Sequence, residues 1–243
     1  MKVGIIGFGR LGKLAATNLA KDCDLLVFDP IAQKEEVQKL GATFATLEQV
    51  CQCKIILPIV PISQLESVLK TMAPLLTSKD QLVIDVCSVK VKPCHWMQDL
   101  LPAHTSILGT HPMFGPDSAK KSLYGHKIVL CPTRIEKDQL EKIQGYLESH
   151  GLKVVTTTAD DHDQQVASSL LLTHFIGRSL IDFGASDLTI DTKGYRRLMK
   201  ILETVENDTW QLFVDMNDYN PYAKELRKKM ISSMTSIDQK LSL

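Results

Sequence analysis

The sequence predicts an α/β protein, with a Rossmann-type dinucleotide-binding domain over residues 1–158 followed by an all-helical dimerisation domain over residues 159–243. Short, β-rich apolar runs alternate with helical patterns up to Thr158, which argues a mostly parallel sheet covered on both faces. From Asp160 onward no strand-like run occurs, and apolar residues recur at helical spacing. At 243 residues the chain is long enough for two modest domains, each with a core.

The elements follow in order. Val3–Ile6 is a short apolar run that breaks into glycines, and Arg10–Lys21 carries apolar residues at helical spacing. Asp24–Pro30, Ile55–Leu57, Gln81–Val86, Ser106–His111, Lys127–Pro132 and Leu152–Thr158 read as further strands. The clearest helices between them are Ser63–Leu76 and Ile135–His150. Beyond them, Asp160–Gly184 carries Val166, Leu170, Leu171, Phe175 and Ile176, too apolar a set for an ordinary surface helix. A second helix is expected from Lys193 to about Tyr219, and a third from Pro221 through Lys240. Burying the first against a partner chain predicts a homodimer; the alternative is burial within its own chain.

Composition excludes several classes. The 28 acids and 28 bases cancel, leaving no electrostatic footprint for nucleic acid or an anionic membrane. No apolar run reaches the ~18 residues a membrane span needs. The six cysteines form no CxxC pair, so reduced thiols are expected and no metal site. No leader-like segment precedes Val3, so a cytoplasmic enzyme is expected.

The loop Gly7, Phe8, Gly9, Arg10, Leu11, Gly12 follows a strand and opens a helix. Gly7 permits the tight turn, Gly9 a close approach to pyrophosphate, and Gly12 helix-on-strand packing. The helix N-terminus favours the phosphates. Asp29 ends the second strand, where an acid accepts from both ribose hydroxyls and repels a 2′-phosphate. NAD is therefore expected, with NADP left open by Arg10 and Lys34. The other reading of Asp29 is a cap on the turn before Pro30.

Two motifs lie at the carboxyl ends of predicted strands, where open α/β sheets bind ligands. They are DVCSVK (Asp85–Lys90) and GTHPMFGPD (Gly109–Asp117). A serine hydroxyl, Ser88, and an imidazole, His111, on one rim can share a substrate hydroxyl, and histidine suits proton abstraction near neutrality.

With the later HD…THFIGR segment (His162, Asp163, Thr173–Arg178) and KGYRRLMKILETVENDTWQLF (Lys193–Phe213), these motifs resemble the TyrA family, the prephenate and arogenate dehydrogenases of tyrosine biosynthesis. The resemblance covers nearly the whole chain, and its last two stretches look most like the plant arogenate dehydrogenases. It implies an oxidative decarboxylation in which His111 takes the ring-hydroxyl proton and Ser88 hydrogen-bonds that hydroxyl. It further implies that His174 belongs to the substrate site and that Arg196, with Arg197 as the neighbouring register, binds a carboxylate. Asp208 matches the position where an acid goes with arogenate and a neutral residue with prephenate. An acid stabilises arogenate's ammonium but is a desolvated, partnerless charge beside a keto group. Pro116 stands where many bacterial relatives place a threonine. With the sequence ending at Leu243, neither a regulatory ACT domain nor a fused chorismate mutase is expected.

Two alternatives remain at this stage. A β-hydroxyacid or imine reductase would also join these domain types, but the former class generally carries a catalytic lysine on its first long helix, and Asp160–Gly184 holds none. A module that senses NAD without turnover leaves Ser88 and His111 unexplained.

Overall fold

The computed structural model of the chain describes residues 1–242, the side chain of Thr204 excepted. It divides into two compact units, Met1–His162 and Asp163–Leu243. In the first, β1 (Lys2–Ile6), α1 (Arg10–Leu19), β2 (Asp24–Phe28), α2 (Lys34–Lys39), β3 (Thr43–Phe44), α3 (Leu47–Val50) and β4 (Ile55–Pro58) lead into α4 (Ile62–Met72) and β5 (Leu82–Asp85). Then come α5 (Val91–Leu100), β6 (Ser106–Pro112), β7 (Lys127–Arg134), α6 (Lys137–Ser149) and β8 (Lys153–Thr156).

The strands form one sheet in the order β3-β2-β1-β4-β5-β6-β7-β8. All pairs are parallel except β6 with β7. The sequence progression reverses between β1 and β4, the switch point where such sheets open a ligand crevice. Near-continuous apolar runs make this possible: Val3, Ile5, Val27, Ile56, Leu82, Val83, Leu108 and Leu130 are all buried. Four short elements had no strong periodic signal: α2, β3, α3 and α5. For α3 a local one existed, since Thr46 and Gln49 form a capping box around its first turn.

The helical unit carries a π-type turn over Ala167–Leu171, then α8 (Leu172–Phe183), α9 (Lys193–Val205), α10 (Trp210–Tyr219) and α11 (Ala223–Leu241). Before the π turn lies α7 (Ala159–Val166), inside which the two units divide. Gly184, in a left-handed conformation, stops α8. The single helix expected over Lys193–Tyr219 is two helices. It breaks at Glu206–Thr209 because Thr209 caps a new start, its hydroxyl accepting from the Leu212 amide at 3.1 Å. Gly177 lets α9 approach α8: a Cβ there would lie 2.8 Å from a Val205 methyl and 3.0 Å from Ile201.

Candidate active site

The glycine loop is shaped for a close ligand. Gly7 has φ +102°, and a Cβ on it would lie 2.2 Å from the Ile59 carbonyl oxygen, so the loops after β1 and β4 meet there. A Cβ on Gly12 would lie 2.3 Å from the Gly7 carbonyl, while one on Gly9 would meet nothing within 4 Å. Gly9 therefore leaves open space over the start of α1, whose first turn carries no acidic residue. That combination fits a pyrophosphate at a helix N-terminus.

Asp29 caps its own turn and also holds the glycine loop. Its Oδ2 accepts from the Phe8 amide at 2.7 Å, tying the glycine loop to the end of β2. Its Oδ1 accepts from the Ile31 and Ala32 amides at 2.8 and 2.9 Å, which caps the turn. A carboxylate has about four acceptor positions, so one remains for a ribose hydroxyl. Phe8 is buried, and Leu11 lines an apolar cavity of about 770 Å³ with Leu14, Ile143 and Leu147. Neither Ser88 nor His111 lines that cavity. Arg10, expected at phosphate, pairs with Asp117 of the GTHPMFGPD segment at 2.6 Å. Both partners are more than half exposed, so the pair is weak and exchangeable.

Ser88 follows the end of β5, and His111 lies on the neighbouring, parallel β6. Asp85 and Gly109 face each other in the β5–β6 register, so Ser88 lies three residues beyond one partner and His111 two beyond the other. Sequence reasoning gave no role to the device that locks these ends. The Lys90 ammonium, wholly buried, contacts both Asp85 carboxylate oxygens at 2.5 and 2.6 Å and donates to the Thr110 carbonyl at 2.6 Å. The Asp85 carboxylate also accepts the Cys87 amide at 2.8 Å, and the Thr110 hydroxyl donates to the Asp85 carbonyl at 2.7 Å. Burial pushes the Lys90 pKa down, but the Asp85 carboxylate, with the nearby Cys87 and Cys94, outweighs it and holds the pKa above the ordinary lysine value.

His111 is 4% exposed, and its Nδ1 lies 2.9 Å from Nε2 of buried His162. Burial pushes the His111 pKa well below the usual histidine range, and His162 and the Lys90 charge push it the same way. The ring is therefore neutral near pH 7. If Nδ1–H donates to His162, the Nε2 lone pair is left to accept a proton, which is the tautomer a general base needs. His162 stands 51 residues from His111, and only the HD motif pointed toward it.

In the helical unit, the π turn ends three residues before His174; such turns are frequent at functional sites. His174 is 3% exposed, with Nε2 3.6 Å from the Asp208 carboxylate and a buried Nδ1 that has no partner among the described residues. Burial lowers its pKa, Asp208 opposes that, and Arg178 reinforces it. Arg178 donates from Nη2 to the Asp208 carbonyl. Arg196 is 62% exposed and pairs with Asp191 at 2.6 Å. Among the described residues, no cluster of three or more metal-ligating side chains occurs, and no helix is long and apolar enough to cross a membrane. All six cysteines are free thiols.

Residues 21–156 match the family model described as prephenate dehydrogenase, nucleotide-binding domain. The chain belongs to the prephenate dehydrogenase family. Residues 179–243 match a second model, the TYRAAT1-like C-terminal domain. Arogenate dehydrogenase 2, chloroplastic, of Arabidopsis thaliana is 31% identical over 99% of this chain and 70% of its own length. Arogenate dehydrogenase 1, chloroplastic, of the same plant is 30% identical over 99% of this chain, which spans 39% of that protein. The crystal structure of Synechocystis arogenate dehydrogenase superposes with a TM-score of 0.74 and 25% identity, covering 100% of this chain and 91% of that one. In this family member, the nucleotide-binding unit thus holds the glycine loop, Ser88 and His111, and the helical unit holds His174, Arg178, Arg196 and Asp208.

Proposed function

We propose that the chain catalyses the oxidative decarboxylation of arogenate to tyrosine, with NAD as the favoured cofactor. The observation that carries the choice of arogenate is the Asp208 carboxylate 3.6 Å from buried His174, a ready partner for an ammonium group. The plant relatives named above support it. Asp29, its remaining acceptor position free for a ribose hydroxyl, supports NAD over NADP.

When bound, the nicotinamide supplies a two-electron acceptor. His111 Nε2 takes the proton of the ring hydroxyl, and Ser88 hydrogen-bonds that hydroxyl. The low pKa of His111 keeps it unprotonated near neutrality, and His162 holds its ring and tautomer. Loss of carbon dioxide makes the ring aromatic, so one base suffices and no metal or covalent nucleophile is needed. His174 and Asp208 receive the amino-acid side chain of the substrate, and Arg196 exchanges Asp191 for a substrate carboxylate.

We further propose a homodimer formed through the helical unit. Ile231, Met234 and Ile237 recur along one stripe of α11 and are each more than half exposed, and Phe183 and Ile190 are 84% and 93% exposed. The zero net charge supports a protein that engages neither nucleic acid nor a membrane, and the free thiols support a cytoplasmic setting. Offering arogenate and prephenate in parallel tests the substrate. We expect higher kcat/KM with arogenate, and Asp208→Asn to shift the arogenate-to-prephenate ratio toward prephenate by about tenfold or more. A wild-type preference for prephenate, or a ratio that Asp208→Asn leaves unmoved, sinks the assignment of Asp208.

A further inference from the structure

Arg178 is not used by the reaction described above, yet it is tied to the residue that selects the substrate. It lies one turn beyond His174 on α8, on the same helix face. Its Nη2 donates to the Asp208 carbonyl, and its guanidinium carbon sits 5.8 Å from the centre of the Trp210 ring. Its Nε is buried with no acceptor among the described residues. We propose that Arg178 is the positioning residue for Asp208: by gripping the main chain and the neighbouring Trp210 ring, it fixes the carboxylate where it meets the substrate's ammonium group. This rests on the reading of Asp208 given above.

The need for such a grip follows from the local chain. Asp208 lies in the break between α9 and α10, where no helix ladder fixes the backbone. Hydrogen bonds outside a regular ladder hold it instead. The Asp208 amide donates to the Val205 carbonyl at 3.3 Å, the Asp208 carbonyl accepts from Arg178, and Thr209 caps α10 through the Leu212 amide. An aspartate has only two side-chain torsions, so the place of its carboxylate is set by the main chain. A planar guanidinium can lie against an aromatic ring and donate in its plane at once, while a lysine ammonium is a point charge on a flexible stem. An unsatisfied buried Nε is a cost that a purely structural residue has no reason to carry.

Arg178→Lys keeps the charge and removes the fork, so it separates geometry from electrostatics. Two quantities are read on the full-length protein: KM and kcat with arogenate and with prephenate, and the titration of the His174 ring by NMR, assigned against a His174→Gln control. Asp208 now holds the His174 pKa up. If the carboxylate drifts away, the His174 titration point falls further. We expect that fall together with a rise of about tenfold in KM for arogenate, kcat nearly unchanged and no loss with prephenate, a loss of about 1.4 kcal/mol in arogenate binding. An unchanged His174 titration overturns the positioning role. A His174 shift with arogenate KM unmoved in both Arg178→Lys and Asp208→Asn overturns the ammonium reading, and this proposal with it. Should Arg178→Lys not fold, Trp210→Leu removes the stacking face alone and gives the same readouts in smaller measure.

Discussion

The rim of the nucleotide-binding unit and the polar cluster of the helical unit solve opposite problems. At the rim, Asp85, Lys90 and Thr110 are buried and bonded to one another, buried His111 pairs with buried His162, and the ion pair is wholly out of water. In the helical unit, His174 Nδ1 and Arg178 Nε are buried with no partner among the described residues, and Asp208 is still 30% exposed. A closed network holds a base in one place and one protonation state before substrate arrives. An open cluster leaves polar groups to be completed by what binds. The contrast teaches that the groups around His111 are set in advance, while the proposed choice of substrate would rest on a few main-chain grips around a helix break.

The largest effect on stability should come from opening the closed network. Lys90→Met leaves Asp85 as a buried, unpaired charge and should lower unfolding stability by about 3–5 kcal/mol. Denaturant unfolding checks this, and a loss below about 1 kcal/mol would mean the pair behaves like a surface bridge. A smaller effect is expected from crowding the open cluster. Gly177→Ala sets a methyl against Val205 and Ile201 and should cost about 1–3 kcal/mol as α9 shifts away from α8. The same shift moves the break that carries Asp208, so arogenate KM should rise with the loss of stability. An Ala variant as stable as the parent, with unchanged KM, would show that this helix contact does not place Asp208.

Much of the nucleotide-binding unit was legible in the sequence because its signals are local. Strand residues Val3 to Ile6, the glycine spacing and Asp29 announce a backbone shape that needs no distant partner to exist. The carboxyl-end placement of Ser88 and His111 followed from the same pattern. Lys90 was not legible in this way. A lysine normally reads as a solvated charge, and only the fold brings Asp85 and the Thr110 carbonyl around it. His162 lies far from His111 along the chain, so no periodicity connects them. In the helical unit, the π turn shifts register without a sequence mark. The break before Trp210 was written in Thr209, a good N-cap, but the apolar spacing on both sides hid it. Arg178 gave no signal beyond its spacing from His174, because a bond to a main-chain carbonyl leaves no pattern in side-chain types.

The most direct test follows reduced-cofactor formation from arogenate across pH with the wild-type chain and with His111→Asn. The wild type should keep its activity on the acid side down to a limb below 6.5, the ordinary histidine value, since a base of lowered pKa stays unprotonated there. His111→Asn should bind the cofactor as tightly and turn over about 10²–10⁴-fold more slowly. A variant that keeps most of its rate, or a wild-type chain that yields no tyrosine, would contradict His111 as the base of an oxidative decarboxylation.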